Sequence, residues 1–121
     1  MDSAIETATR LASRQWQAAF NAGDAAGCAS CYEETAVMVA EPFGTYTGRA
    51  EIQAFWEKLI ADGFKDVNYV DPKLEVLDDR SACLSSGWTM NNARGVITKE
   101  LWVLQEDGRA LLREDHFAAT A

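Results

Sequence analysis

Apolar residues recur at helical spacing in the first half of the chain and at strand spacing in the second. Behind Ser3, the residues Ile5, Ala8, Ala12, Trp16, Ala19 and Phe20 share one face of a 3.6-residue period, which predicts an amphipathic helix over 3–21. Ser3 with Glu6 three residues later is a capping-box pair that starts it. The run Asn21 to Asp24 breaks the pattern, and Asp24 is placed to cap a short second helix through Cys31. Thr35 to Ala40 is β-branched and apolar, hence a strand, and Pro42 to Gly48 is a connection with room for a short strand of its own. A third helix is predicted from Arg49 to Asp62, with Ile52, Phe55, Trp56, Leu59 and Ile60 on one face and Gly63 at its C-terminal stop.

From there the pattern is that of strands. Asp66 to Leu77 is a long strand that Pro72 must bend or confine to an edge. Turns lead from it into Ala82 to Asn91, then Val96 to Gln105, and the Asp107-Gly108 pair leads into Arg109 to Ala118. Helices first and a four-strand antiparallel meander after them predict an α+β fold, with three N-terminal helices packed on a strongly curved, mostly antiparallel sheet in one domain over 1–121. Trp102 and Leu104 fall on one face of their strand and Leu101 and Val103 on the other. A sheet wetted on one side alternates apolar with polar residues, so the outer face is expected to be covered by a second copy of the chain in a homodimer.

Composition narrows the partners. At 121 residues, 48% of them hydrophobic and 25% charged, the chain is long enough to bury a core without disulfides or metal. Its formal charge of −8 argues against nucleic acid and against anionic membrane surfaces, both of which reward Lys and Arg. No apolar run approaches the roughly 18 residues of a membrane span, and the N-terminus lacks the basic and apolar regions of a signal peptide, so the expected compartment is the cytoplasm. Cys28 and Cys31 form a C-x-x-C. A thioredoxin-type site needs a preceding strand, and a zinc site needs two more ligands, for which only Cys83 and His116 remain. Small buried thiols on a short helix fit the pair better. With no phosphate loop, dinucleotide fingerprint or metal motif, no cofactor and no metal are expected.

The stretch FNAGDAAGCASCYEETAVMVAEPFGTYTGRAEIQAFWEKL resembles the nuclear transport factor 2-like superfamily, cone-shaped α+β barrels that include steroid isomerases and polyketide cyclases. The shared order is helix, Ala-Gly-Asp, short helix, Tyr-x-x-x-Ala-Val, a loop with Gly-Arg, then a helix rich in Ile, Phe and Trp. ITKELWVLQEDGRALLREDHFAA looks like the last hairpin of that family, so the resemblance covers nearly the whole chain. It implies the fold; enzymes, binding modules and assembly domains all use it. Laid against the steroid isomerases, Glu41 before Pro42 matches the catalytic base, and Glu100, eight residues before Gly108, matches the carboxyl that donates a proton to the substrate oxygen. Trp16, seven residues before Gly23, stands where that family has its tyrosine, and an indole N–H does not match a phenol in acidity. The isomerase set is therefore incomplete.

A pocket lined by Trp16, Phe20, Met38, Phe55, Trp88, Met90 and Trp102 would suit an apolar small molecule, although the same aromatics also suit a plain core. Two carboxyls in such a pocket would have raised pKa values, one acting as base while the other stays protonated. That arrangement serves proton abstraction next to a carbonyl, as in isomerisation, cyclisation or dehydration. Two opposed readings stand beside it: Glu41 as a solvated strand end, and Glu100 as an exposed strand residue paired across to the neighbours of Lys99 or to Arg113. On the last strand, alternation that follows the isomerase alignment turns Arg113, Asp115 and Phe117 into the cavity and Glu114 and His116 out. A slip of one residue puts His116, the only histidine, inside instead. Glu41, Glu100 and Asp115 are thus the catalytic candidates, with Arg113 among the ligand-binding ones. The alternative to an enzyme is a non-catalytic module of the same fold that binds a ligand or dimerises.

Overall fold

The computed structural model describes residues 3–120. Helices α1 (Ala4–Asn21) and α2 (Ala25–Ala29) precede strands β1 (Tyr32–Glu41) and β2 (Gly44–Thr47); helix α3 (Arg49–Ala61) follows, then β3 (Asn68–Asp78), β4 (Ser81–Thr89), β5 (Arg94–Leu104) and β6 (Ala110–Ala119). The expected caps form. Ser3 Oγ accepts from the Glu6 amide at 3.3 Å, and Asp24 Oδ1 accepts from the Gly27 amide at 2.9 Å.

The six strands make one sheet in the order β2-β1-β6-β5-β4-β3, with β1 parallel to β6 and every other pair antiparallel. Pro72 lies on β3, an edge of the sheet, beside an irregularity between Val70 and Lys73 where Asp71 takes a φ of 53°. An edge is where a residue without a backbone N–H does least harm to the ladder. β1 starts earlier than its apolar run suggests, at Tyr32, because parallel pairing with β6 extends it backwards.

The helices cover the concave face. Trp16 stacks on Phe20 with ring centres 5.4 Å apart, and Trp56 of α3 meets Trp16 edge-on at 5.0 Å. Trp102, Tyr32, Phe20 and Met38 are the largest side chains sealed from solvent. On the outer face Val70 and Val96 flank Gly87 and remain 45% and 41% exposed. Among the described residues no helix is long and apolar enough to cross a membrane.

Two bulges decide which side chains of β5 and β6 face inward. Between Ile97 and Lys99 the β5–β6 register slips, leaving Thr98 as an extra residue on β5; between Leu101 and Trp102 it slips again, leaving Arg113 extra on β6. Each bulge reverses the alternation of its strand from that point on.

Candidate functional site

Without the first bulge Glu100 would share a face with exposed Val96; with it, Ile97, Glu100 and Trp102 all turn inward. Without the second, Asp115 would point away from buried Leu112; with it, Leu112, Asp115 and Phe117 all turn in. Glu100 and Asp115 thereby become direct cross-strand partners on the concave face, 6% and 3% exposed. Side chains so placed start about 5 Å apart.

Each acid has one protein partner. Tyr32 Oη donates to Asp115 Oδ2 at 2.6 Å, and Trp102 Nε1 donates to Glu100 Oε1 at 3.0 Å. Among the described residues neither acid has a cation within ion-pair distance. Burial, followed by the charge of Asp115, pushes Glu100 well above the usual carboxylate range, and the Trp102 hydrogen bond opposes this only in part. Burial likewise pushes Asp115 up to about 6, against the pull of the Tyr32 hydroxyl. Tyr32, buried beside an acid, is itself driven upward and stays a phenol donor. The two carboxyls titrate as a unit, with burial opposing ionisation of both and the Tyr32 hydrogen bond favouring the charged form of Asp115.

Both acids line a cleft walled by Trp16, Trp56, Tyr69 and Trp88, with Met90 and Phe117 half-buried in its wall. The cleft holds about 350 Å³ of empty space out to its mouth, yet only about 30 Å³ of it is wide enough to admit the centre of a water molecule. Roughly 10–15 Å³ of that kind takes one water, so a ligand larger than a few atoms must part the walls.

Of the expected residues, the structure brings Trp16, Trp88, Met90, Glu100 and Asp115 together. Phe20, Met38, Phe55 and Trp102 are core residues behind the cleft: Phe20 stacks under Trp16, Met38 lies 3.8 Å from the Tyr32 hydroxyl, and Phe55 packs on Trp56 at 5.0 Å. Glu41 is elsewhere. On β1 the inward residues are Ala36, Met38 and Ala40, so alternation turns Glu41 out, into an outer depression with about 260 Å³ of empty space shared with Thr98 and His116. Arg113 is also corrected. As the extra residue of the second bulge it points outward, where it binds Glu33 at 2.7 and 3.2 Å, and no Arg113–Glu100 pair forms. His116 stays outside, 3.2 Å from Glu114.

Tyr32, Trp56 and Tyr69 join the site without having been expected there. Tyr32 has the same parity as Met38 and Ala40, a signal that was present but concealed by the polar Glu33-Glu34-Thr35 between them. Cys28 and Cys31 are both buried free thiols, pushed by burial to about 12 and about 11, which leaves them far from the thiolate form. No group of three or more His, Cys, Asp or Glu suited to holding a metal occurs among the described residues.

A model of the SnoaL-like domain matches residues 13–111. Solved structures agree in fold. A putative scytalone dehydratase from Novosphingobium aromaticivorans superposes with a TM-score of 0.81 at 12% identity, over 96% of this chain and 84% of the other. A ketosteroid isomerase-like protein from Erwinia carotovora atroseptica gives 0.80 at 13% identity, over 95% of each chain. ActVI-ORFA from Streptomyces coelicolor gives 0.77 at 18% identity, over 94% of this chain and 96% of the other. No curated protein matches by sequence.

Proposed function

The chain belongs to the SnoaL-like domain family, within the nuclear transport factor 2-like superfamily, and from that premise we propose that it is a cofactor-free acid–base enzyme acting next to a carbonyl. The observation that carries this reading is the Glu100–Asp115 pair: two carboxyls side by side in an aromatic cleft, both raised by burial, with no cation in ion-pair distance among the described residues. Asp115 Oδ1, which has no partner among the described residues, is the base that takes the α-hydrogen of a bound ketone. Glu100 gives its proton to the carbonyl oxygen, so a neutral enol forms while the negative charge passes from Asp115 to Glu100; with a β,γ-unsaturated ketone, Asp115 then delivers its proton to the γ carbon as the dienol O–H proton returns to Glu100, which completes an isomerisation and restores both acids. With a β-hydroxy ketone, the proton now on Asp115 goes to the β-hydroxyl, which leaves as water while the enol O–H proton returns to Glu100, and the product is the enone of a dehydration. Tyr32 is a positioning residue: its hydrogen bond to Oδ2 keeps Asp115 ionised and turns Oδ1 free.

The test is exchange of α-hydrogens of enolisable ketones in deuterated water, followed by NMR. Removal of a general acid or base typically costs 10²–10⁴-fold, so Asp115→Asn and Glu100→Gln should each lose about a hundredfold or more. Exchange at the wild-type rate in both variants defeats the reading.

The narrowness of the cleft favours a second reading. In it the fold serves as a dimerisation module, with Val70 and Val96 of the outer face covered by a second copy. Sedimentation of the protein with and without Val96→Lys distinguishes a dimer through that face from a monomer.

A further inference from the structure

A second hollow shares no residue with the cleft. Met90, in the cleft wall, and Gly108, in the wall of this hollow, stand beyond opposite ends of β5. Its wall includes Ala8, Leu11 and Gln15 of α1, Cys31 after α2, and Arg109 and Leu111 of the β5–β6 hairpin. The hollow holds about 490 Å³ of empty space, of which about 120 Å³ admits the centre of a water molecule, against about 30 Å³ in the cleft. Space of this size falls in the range of small-molecule sites, and no wall has to part for a ligand to enter. Leu11 is 50% exposed over it, while Leu111 and Cys31 are buried behind. One exposed leucine is ordinary on a protein surface; one standing over buried apolar side chains makes a wall against which a hydrocarbon chain loses water.

The polar groups fix the sign of the ligand. Ser30 donates its hydroxyl proton to the Gly27 carbonyl at 2.7 Å. The Gln15 amide has no hydrogen bond among the described residues and is able to donate or accept, so it favours neither sign. Arg109 is the one charged side chain among the lining residues, and no carboxylate lines the hollow. Asp107 accepts from the Arg109 Nε at 2.8 Å and from its backbone amide at 3.0 Å, and the two Nη groups have no partner among the described residues. Asp107 thus weakens the pull of the guanidinium but leaves the half of its fork that suits a carboxylate free. The chain carries a net charge of −8, yet acids more than about 8 Å away are largely screened at physiological salt, so the groups lining the hollow decide. From Ala8 to Gln15 the helix rises about 10 Å, room for a chain of roughly eight carbons.

We infer that this hollow is a second binding site, for a small monocarboxylate with an apolar tail of about six to eight carbons, the carboxylate on Arg109 and the tail along Leu11 and Leu111. The inference does not rest on the acid–base reading of the cleft.

The test uses one tail with three head groups: hexanoate, 1-hexanol and hexylamine, titrated near neutral pH into ¹⁵N-labelled protein. Arg109 is exposed, which limits what an ion pair adds, so hexanoate should bind about fivefold more tightly than hexanol, and hexylamine least of all. Affinity should rise about twofold or more per methylene from butanoate to octanoate. The amide signals of Leu11, Gln15, Arg109 and Leu111 should move, while the indole signals of Trp56 and Trp88 stay. Arg109→Glu should reverse the order of hexanoate and hexylamine, and Leu11→Gln should weaken hexanoate about threefold or more. Both positions are exposed, so neither change threatens the fold. Equal affinity for the three head groups, shifts confined to the cleft, no shift with any compound, or unchanged hexanoate binding by Arg109→Glu would overturn the inference. If the signals of the hollow move with protein concentration instead, a second copy of the chain fills it and the inference fails too. Loss of the acid–base reading, by contrast, leaves it standing.

Discussion

Glu114 and Asp115 are neighbours on β6, yet Glu114 sits on the outer face, with Lys99 at 3.4 Å and His116 at 3.2 Å, while Asp115 sits inside with no cation beside it. The same contrast divides Glu33, held by Arg113 at 2.7 Å, from Glu100, held only by an indole. Outside, hydrogen bonds from basic partners hold Glu33 and Glu114 below the usual carboxylate range. Inside, burial drives Glu100 and Asp115 above it. A fold selected for stability alone would place its basic residues where charge is most expensive to bury. Here the neighbouring cations stay outside, and burial works against the charge of both acids inside.

The largest effect expected from this contrast is on pH-dependent stability. An acid whose folded pKa is raised binds its proton more tightly folded than unfolded, so stability falls as pH climbs from the ordinary value through the folded one. For Asp115 that window runs from 3.8 to about 6. Asp115→Asn removes the cost of the buried charge and should stabilise the protein at pH 8 by about 3 kcal/mol, with little gain near pH 4. Denaturant unfolding at both pH values checks this; an equal loss at both would mean Asp115 is an ordinary structural hydrogen-bonding residue. Tyr32→Phe has the opposite sign. It strips the ionised acid of its donor and should destabilise by about 2 kcal/mol at pH 8, with a smaller loss at pH 4.

Gly95→Ala acts on the inner face by bulk alone. An added Cβ would collide with the Ala118 carbonyl and the Trp88 ring, so Trp88 must move into the cleft or the strands must part, at a cost of about 2 kcal/mol. Trp fluorescence in a folded variant reports the displaced ring. The smallest effects belong to the outer face. Glu33→Gln removes a carboxylate whose stabilising influence is present above the ordinary carboxylate pKa and fades on acidification, and it should cost less than about 1 kcal/mol, shrinking further in high salt. A salt-insensitive loss of several kcal/mol there would erase the distinction between the two faces.

Local patterns made the elements legible. The Ser3–Glu6 cap, the Gly63 stop, the Asp107-Gly108 turn and the helical spacing of Trp16 and Phe20 each act within a few residues, and each stands as expected. The site is built from what local pattern does not carry. Thr98 and Arg113 are single extra residues whose effect appears only when two strands are set in register, and both acids owe their direction to them. Alternation therefore turned Asp115 and Phe117 the right way from the isomerase alignment and Arg113 the wrong way. Tyr32 reaches Asp115 across 83 residues through a parallel pairing that no turn signal announces. Glu41 looked like an acid beside a proline, and the strand's own parity puts it on the other side of the sheet.

Everything proposed for the cleft's chemistry depends on Glu100 and Asp115 holding one proton between them at neutral pH. Carbon-13 NMR titration of the side-chain carboxyls, with Glu100→Gln and Asp115→Asn for assignment, measures this without a substrate. An Asp115 midpoint near 6 is expected, with Glu100 also raised well above the ordinary range, and Glu33 and Glu114 below it. Midpoints for Glu100 and Asp115 near the ordinary value of about 4 would mean two solvated carboxylates, and the shared proton would be refuted.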